Sequence, residues 1–387
     1  MQCSGTIPEF SQELIEHIAN FLWDEPVQLT QCSLVCAAWY HAAKRHLTSY
    51  MSATSDFAMK RLVYILTSKR NRKYRKALKH IKVGEKPSLR AFHMRLPGGA
   101  LTAMESLEFS ELDWTHSKLR FQPVFYQRLS YFASVKTLYL RHCRLFCAED
   151  LARVICALPN LDELNADSIT IQQATHGGSL KQKITNYYQY RCKSPTLTEL
   201  CFWKHGDAAD LLTEPRMEPT AESVALHQDV LDVLSSCSTS IKSLRVSTTQ
   251  FASFEQFRQF LDSFPQLHSL ALEQEPEWEM PPPSTSAHLL ATKLKDKNQV
   301  WEELHLFEMR SASVQRFIEL FIAQHRRVRE LELELLDWPT VALHSAVSRF
   351  TEKCGRTLHT FRLEIQTGHL AGFPEFKKPQ VSRLNVL

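Results

Sequence analysis

The sequence predicts an α/β protein in which a small helical N-terminal domain precedes a solenoid with a curved parallel sheet. First, a short pattern with apolar residues at its first, fourth and sixth positions recurs through residues 77–387. Second, several copies begin 26 to 30 residues apart, with 26 between Val135 and Leu161 and 30 between Val328 and Leu358. Third, amphipathic helical patterns lie between copies. A strand, a helix and a return to a parallel strand form one solenoid repeat, whose neighbours bury each other's apolar faces.

Each copy of the pattern predicts a strand with alternate side chains pointing inward. The twelve copies are Leu78-Ile81-Val83, Leu89-Phe92-Met94, Met104-Leu107-Phe109, Val135-Leu138-Leu140, Leu161-Leu164-Ala166, Leu197-Leu200-Phe202, Ile241-Leu244-Val246, Leu267-Leu270-Leu272, Trp301-Leu304-Leu306, Val328-Leu331-Leu333, Leu358-Phe361-Leu363 and Val381-Leu384-Val386. The copy at Leu89 follows its predecessor by only 11 residues, so we expect one early copy to be spurious or part of a small entry sheet. Between copies, apolar residues at Leu151, Phe254, Val314 and Val341 begin helical patterns.

The repeated half of the chain resembles the leucine-rich repeats, whose period is about 20 to 29 residues. His142-Cys143, after the strand that ends near Leu140, is a loose counterpart of the Asn or Cys that follows the strand in that family. The resemblance implies a leucine-rich-repeat-like solenoid over residues 77–387. Such solenoids bind partners on their open sheet face, so the resemblance implies a protein-binding function.

The N-terminal stretch 10–47 predicts two or three short helices. Apolar residues at Leu14, Ile15, Ile18, Phe21 and Leu22 follow a helical spacing, and Asp24-Glu25-Pro26 end that helix. Ser11 is a candidate N-cap, because its hydroxyl oxygen accepts a hydrogen bond from a free amide of the first turn. So few helices enclose no core of their own and need a surface to pack against. One interpretation is an ordinary amphipathic helical hairpin.

The second interpretation is a resemblance to the F-box, carried by Glu13-Leu14-Ile15, Ile18, Leu22, Leu29, Leu34-Val35-Cys36 and Trp39. Phe10-Ser11 stands where that family usually has Leu-Pro. The resemblance implies docking onto the Skp-type adaptor of a cullin–RING ubiquitin ligase. The implied adaptor-binding residues are Leu14, Ile15, Ile18, Phe21, Leu22 and Leu29. The implied F-box core residues are Leu34, Val35, Cys36 and Trp39, with Cys36 as a buried structural thiol.

Taken together, the two halves resemble the F-box proteins with degenerate leucine-rich repeats, particularly the large divergent sets of fungi. The implied domains are an F-box at residues 1–50, a basic helical linker at 51–76 and the solenoid at 77–387. The implied function is the substrate-recognition subunit of an SCF-type ligase, which binds the adaptor, through it a cullin, and an unknown target protein. The alternative is a non-enzymatic repeat scaffold that acts outside ubiquitination.

The charge of the chain is uneven. The net charge is +4, from 46 basic and 42 acidic residues, but residues 51–90 hold twelve Lys or Arg against Asp56 and Glu85. For the run Lys69 to Lys86 we expect a solvated linker helix first, a nuclear-import signal second and nucleic-acid binding last, since interleaved aromatics are missing apart from Tyr74.

The open sheet face is predicted to bind the target. Its residues lie between the apolar positions of the strands, and the expected target-facing set is Tyr139, Arg141, Trp203, Arg245, Glu303, His305, Phe307, Glu330, Glu332 and Glu334. Because this face runs from basic to acidic, we expect a partner of opposite polarity. The aromatic residues are the expected anchors, as aromatics dominate interface hot spots.

We expect no enzymatic activity, cofactor or metal. His142, Cys143 and Cys147 lack a fourth zinc ligand at suitable spacing, and the sequence has no phosphate-binding glycine loop or nucleophile elbow. No apolar run approaches the ~20 residues that span a membrane. The ten cysteines are scattered without a Cys-x-x-Cys pair, so we expect reduced thiols and a cytoplasmic or nuclear location.

Overall fold

A computed structural model describes residues 10–22, 25–84, 96, 98–115, 123–173, 197–203, 221–236, 240–274, 276, 300–323 and 327–365. Within these ranges, strands alternate with helices, and the α/β solenoid class predicted from the sequence is confirmed. The chain forms two compact units, Met1–Arg144 with Arg153–Leu161 and Leu145–Ala152 with Asp162–Leu387.

Unit 1 contains the N-terminal helices and four parallel strands. Its elements are α1 (Gln12–Phe21), α2 (Pro26–Ser33), α3 (Ala37–Ser49), β1 (Tyr50–Ala53), α4 (Asp56–Thr67), α5 (Arg72–Ala77), β2 (His80–Gly84), β3 (Ser106–Ser110), α6 (Pro123–Leu129) and β4 (Thr137–Arg141). The strands pair in chain order, so that His80 faces Tyr50 on one side and Ser106 on the other. A parallel pair between consecutive strands needs the intervening crossover that each predicted repeat supplies.

Unit 2 contains seven parallel strands that also pair in chain order. They are β6 (Glu163–Asp167), β8 (Glu199–Trp203), β9 (Ser243–Ser247), β10 (Ser269–Glu273), β11 (Val300–Met309), β12 (Arg327–Leu335) and β13 (Thr360–Ile365). Its helices are α8 (Ala221–Ser236), α9 (Phe254–Leu261), α10 (Ser311–Ala323) and α11 (Val341–Cys354). Three short elements, β5 (Arg144–Leu145), α7 (Ala148–Ala157) and β7 (Thr170–Ile171), lie around residue 145–171.

The repeated apolar pattern identifies the strands. Ten of its twelve copies coincide with β2, β3, β4, β6 and β8 to β13, while those at Leu89 and Val381 lie outside the described residues. In β4, Leu138 and Leu140 are fully buried, whereas Tyr139 between them is half-buried. Each leucine buried in this way contributes about 1.5 to 3 kcal/mol to the stability of the fold. The four helical patterns are likewise confirmed as α7, α9, α10 and α11.

The predicted linker at residues 51–76 is wrong in one respect. Residues 51–53 belong to β1, which pairs with β2, so this segment supplies the first strand of unit 1 instead of bridging two domains. The expected helical character is present, but in two helices, α4 and α5, separated by a short turn at Lys69–Asn71. The run from Lys69 was expected to be one solvated helix, but only its first part is helical, and the described remainder enters β2 with Ile81 and Val83 buried.

A left-handed residue follows several strands at the same place in the repeat. Glu111, His142, Ser168, Gln274 and Glu308 all have positive φ, between 51° and 66°. Three of these residues donate their amide to a carbonyl of the next strand: Glu111 N to Arg141 O at 2.8 Å, Ser168 N to Trp203 O at 2.9 Å and Gln274 N to Phe307 O at 3.0 Å. Non-glycine residues adopt this region infrequently, so its recurrence two residues after the last apolar position marks a shared feature of these repeats; in β11 it falls within the strand, at Glu308.

Consecutive repeats are also locked by a buried polar contact. The fully buried Ser311 begins α10, and both its amide and its hydroxyl donate to Asp337 Oδ1, at 2.7 and 2.6 Å. The carboxylate therefore satisfies a donor at the helix start that has no intrahelical partner. Asp337 lies beyond β12, so this contact ties one repeat to the next.

We expect Asp337→Ala to lower the free energy of unfolding by about 1 to 3 kcal/mol, because it leaves the buried Ser311 amide unsatisfied, whereas the Ser311 hydroxyl keeps the Trp338 carbonyl oxygen at 2.9 Å. The exposed Glu352 is a matched control, and Glu352→Ala should change stability by less than about 0.5 kcal/mol. Chemical denaturation followed by circular dichroism measures both. Equal effects of the two substitutions would contradict this role of Asp337.

Candidate protein-binding surfaces

Contrary to the expectation that so few helices enclose no core, helices α1 to α3 pack around a small core of their own. Ile15 and Ala19 of α1, Leu29 of α2, and Ala42 and Ala43 of α3 are buried in it. Three further side chains, Leu22, Cys32 and Trp39, pack against this core while remaining partly exposed. The predicted core role of Trp39 therefore agrees with its position.

This packing corrects two sequence-based assignments. Ile15 and Leu29, expected to bind the adaptor, are only 5% and 1% exposed and are unavailable to a partner. Leu34, Val35 and Cys36, expected in the core, are exposed. The reason is local: these three residues form the turn from α2 into α3, with Leu34 as the C-cap of α2 and Cys36 as the N-cap of α3.

The remaining apolar residues give this helical domain an exposed apolar surface. Leu14, Ile18 and Phe21 follow a helical spacing on α1, one position away from the inward stripe formed by the buried Ile15 and Ala19 and the partly buried Leu22. Phe21 and Leu34 are each 81% exposed, and Val35 is 68% exposed. We call Leu14, Ile18, Phe21, Leu34 and Val35 the helical surface. Exposed apolar groups of this number on one small domain are typical of protein-binding sites.

Polar contacts fix the helices that carry this surface. Ser11 Oγ accepts from Leu14 N at 3.3 Å, so the predicted N-cap of α1 is confirmed. His46 Nε2 of α3 lies 2.9 Å from Asn20 Oδ1 of α1 and connects the two helices. Burial, together with the nearby Arg45 charge, lowers the pKa of His46. The neutral imidazole is therefore the form that the folded domain favours.

A second histidine of unit 1 behaves in the same way. His80 of β2 lies on the open sheet face, with Nδ1 2.5 Å from Ser106 Oγ of β3. Burial lowers the pKa of His80, while the charges of Glu105 and Lys79 act in opposite directions.

We expect acidification below about pH 6.5 to destabilise the fold through these two residues. Because both pKa values are lower when folded, the unfolded chain binds more protons in that range, and the free energy of unfolding falls as the pH falls. Melting temperatures measured from pH 8 to about pH 5 check this. The double variant His46→Asn, His80→Asn should flatten the acid part of the profile; an unchanged slope would contradict the assignment.

On the open face of unit 1, charged residues neutralise one another. Glu108 of β3 lies between Lys82 Nζ at 3.0 Å and Arg141 Nη1 at 3.7 Å. The Arg141 guanidinium also lies over the Tyr139 ring at 5.3 Å. The structure thus brings the predicted pair Tyr139 and Arg141 together, with their charge partly balanced by Glu108.

On the open face of unit 2, an arginine connects two aromatic side chains. The Arg245 guanidinium lies 5.8 Å from the ring centres of both Trp203 and Phe307, and its Nε lies 3.1 Å from Glu273 Oε1. Phe307 also packs edge-on against His305 at 5.4 Å. The predicted anchors Trp203 and Phe307 are therefore half-buried and form one cluster around Arg245.

Carboxylates dominate the rest of this face. Nine occupy outward strand positions, against two arginines: Glu163, Asp167, Glu199, Glu273, Glu303, Glu330, Glu332, Glu334 and Glu364, against Arg245 and Arg362. We call these nine residues the acidic face. Glu332 binds Arg362 Nη1 at 2.7 Å and lies 3.2 Å from His305 Nδ1. Burial and then the charges of Glu163, Asp162 and Glu303 raise the pKa of Glu199, as expected where negative charges accumulate.

Asp167, Glu273 and Glu364 of the acidic face, and the neighbouring Arg362, were not identified from the sequence. Each stands at the same outward position of the pattern as residues that were identified, since Glu273 follows Leu272 as Phe307 follows Leu306. Extending the same alternation to every copy would have found them.

The cysteines of the described residues are free thiols. Cys143 is buried, and its sulfur lies 3.4 Å from the carbonyl oxygens of Phe109 and Arg141. Burial raises the pKa of Cys147 to about 11 and that of Cys201 to about 12, so neither is activated as a nucleophile. Among the described residues, no three His, Cys, Asp or Glu side chains are grouped to hold a metal ion. The helices in those residues are all too short or too polar to cross a bilayer.

Comparison with known proteins gives no family assignment. No protein-family model matches the sequence, and no curated protein matches it. Among solved structures, the chain is similar to one from the yeast Rad7 and Elc1 complex, at 12% identity over 96% of this chain and 92% of that chain, with a TM-score of 0.38. It is also similar to the internalin inlF of Listeria monocytogenes, at 11% identity over 87% and 83% of the two chains, with a TM-score of 0.30. The function proposed below rests on this chain's own residues.

Proposed function

We propose that this protein is the substrate-recognition subunit of an SCF-type cullin–RING ubiquitin ligase. In this proposal the helical surface binds a Skp-type adaptor and, through it, a cullin. The observation that carries it is the exposure of Phe21, Leu34 and Val35 on a helical domain whose other apolar stripe is already buried. Apolar side chains exposed to water are unfavourable in free energy, and a partner that covers this surface removes them from water.

The open strand face would hold the target protein. It offers rigid outward side chains on seven parallel strands of unit 2, with an aromatic and arginine cluster at Trp203, Arg245 and Phe307. Aromatic and arginine residues are the usual anchors of protein interfaces. The acidic face beside them favours a target segment that carries positive charge.

The mechanism is proximity, and it assigns no catalytic residue to this chain. Tethering a target near the ubiquitin-conjugating enzyme raises the effective concentration of the target lysine at a thioester held by another subunit. We place the protein in the cytoplasm, the nucleus or both. The free thiols of the described cysteines support a reducing compartment.

Affinity purification of the tagged full-length chain tests the proposal. We expect the Skp-type adaptor and the cullin to copurify in amounts close to those of the chain itself. Recovery of the adaptor alone, or of neither protein, would show that the chain does not belong to such a ligase.

The second candidate is a repeat scaffold that binds proteins outside ubiquitination. The acidic face favours it independently, because that face needs no adaptor to act. Reversing the charge of Glu330, Glu332 and Glu334 together should release a target without affecting the adaptor. A target that is lost from this variant yet stays unubiquitinated and stable with wild type would favour the scaffold.

A further inference from the structure

Helix α4 has an outward face that neither the core nor the proposed function uses. Its inward face is apolar and buried, at Met59, Leu62 and Leu66. On the opposite side, Phe57 is 75% exposed and Tyr64 is 72% exposed. Lys60 and Arg61, both exposed, lie between them, and the four residues follow the three-and-four spacing of one helix face. The face therefore alternates aromatic, basic and aromatic side chains.

The turn and helix that follow add positive charge. Residues 51–84 carry ten Lys or Arg against one acidic residue, Asp56, whose carboxylate is bound to Lys60 at 2.5 Å. Within the described part of the chain, Lys79 is bound to Glu105, whereas the other cations up to the end of α5 form no ion pair with a carboxylate: Arg61, Lys69, Arg70, Arg72, Lys73, Arg75 and Lys76. We call Phe57, Lys60, Arg61, Tyr64 and the cations from Lys69 to Lys76 the basic aromatic patch.

This arrangement revises the sequence-based ranking of nucleic-acid binding. Nucleic-acid binding ranks last from the sequence because the run Lys69 to Lys86 contains a single aromatic residue, Tyr74. Tyr74 is half-buried, and Lys73 Nζ lies 5.4 Å from the centre of its ring. The folded chain supplies the missing aromatics from α4, where Phe57 and Tyr64 are far more exposed. They stand about 10 Å apart along the helix, from seven residues at a rise of 1.5 Å.

The chemistry of the patch distinguishes between possible polyanions. Unpaired cations attract any of them. An acidic protein segment offers charge but no flat ring for the aromatics to stack on. A duplex hides the faces of its bases inside the helix. A single strand offers both phosphates and exposed base faces, and known single-strand binders combine basic grooves with aromatic stacking platforms.

We propose that the basic aromatic patch binds single-stranded nucleic acid, with bases stacking on Phe57 and Tyr64 and phosphates held by the cations from Lys69 to Lys76. The site shares no residue with the helical surface or with the acidic face, and the proposal does not depend on whether the chain binds an adaptor. No sequence preference is implied, because stacking accepts every base.

Fluorescence anisotropy of the full-length chain tests this with four probes: a labelled single-stranded oligonucleotide, its duplex, polyglutamate, and vesicles containing phosphatidylserine. We expect the single strand to bind at least tenfold more tightly than the duplex or polyglutamate. Affinity for it should fall steeply with salt, because binding phosphates releases counterions.

Two sets of variants separate stacking from charge. Phe57→Ala and Tyr64→Ala should each weaken single-strand binding about tenfold to a hundredfold, while Tyr64→Phe, which keeps the ring, should bind as wild type. Lys73→Glu with Lys76→Glu should weaken binding and lower the slope of log affinity against log salt by about 1.4. The controls are Trp338→Ala, which removes another exposed aromatic, and Lys136→Glu with Lys242→Glu, which changes the net charge equally.

Several results would overturn the proposal. They are equal affinity for the duplex or polyglutamate, binding to the vesicles alone, or no binding to any probe. Unchanged single-strand affinity in both alanine variants would also overturn it. Because Phe57 and Tyr64 are exposed, these variants should melt at the wild-type temperature, which shows that they remain folded.

Discussion

Replacing Phe21 with glutamate is expected to abolish copurification of the Skp-type adaptor. Phe21 is the aromatic side chain of the helical surface and is 81% exposed, and it lies beside the half-buried Ile18 on the outward side of α1. A charge at an apolar anchor must be desolvated without a partner when the interface closes. Loss of such an anchor typically costs about 2 to 4 kcal/mol, which raises the dissociation constant about 30-fold to 1,000-fold.

A matched control makes this result specific. Phe57→Glu introduces the same change on an exposed helical phenylalanine of the same unit, and it should leave adaptor binding intact. Val35→Glu should behave like Phe21→Glu if the turn from α2 to α3 belongs to the interface. Isothermal titration calorimetry with purified adaptor gives the dissociation constants. Normal binding by both Phe21→Glu and Val35→Glu would remove the helical surface from the proposal.

The largest effect on stability is expected for Phe317→Ala, at about 3 to 5 kcal/mol. Phe317 of α10 is fully buried, and its ring meets that of Phe257 of α9 edge to face, with centres 6.0 Å apart. Truncation removes the burial of a whole ring and leaves a cavity between helices of different repeats.

Urea denaturation followed by tryptophan fluorescence measures this change. Phe57→Ala, at a phenylalanine that is mostly in water, is the control and should shift the free energy of unfolding by less than about 0.5 kcal/mol. Because neighbouring repeats stabilise one another, the Phe317→Ala variant should unfold unit 2 before unit 1. A decrease in the free energy of unfolding of less than about 1 kcal/mol would contradict this prediction and would indicate that α9 and α10 shift to fill the cavity.

Periodicity predicted the strands well because each repeat buries the same three positions. It missed β1, since Tyr50–Ala53 lacks the apolar triplet and is held by pairing with β2. On α1 it could not choose between two neighbouring apolar stripes. Both Leu14-Ile18-Phe21 and Ile15-Ala19-Leu22 have helical spacing, and only the packing of α2 and α3 decides which is buried.

For the candidate surfaces, the sequence likewise predicts which residues point outward but not which of them touch. Alternation placed Arg245 and Phe307 outward, but their contact depends on the pairing of β9, β10 and β11, which a single chain sequence does not state. The turn at Leu34-Val35 was assigned to the core on the resemblance to the F-box. These residues are exposed because they form the short turn between α2 and α3, outside both helices, with Leu34 as the C-cap of α2 and Cys36 as the N-cap of α3.

The junction between α3 and β1 connects the helical surface directly to the first strand of unit 1. Helix α3 ends at Ser49 and β1 begins at Tyr50, with Ser49 O accepting from Lys79 N at 2.8 Å. Helix α3 therefore continues into β1 without a connecting loop, and both elements belong to unit 1. A ligand bound to β1 would lie on a strand that is covalently continuous with the helices that carry the helical surface. Inserting a few glycines after Ser49 would place a flexible linker between the two.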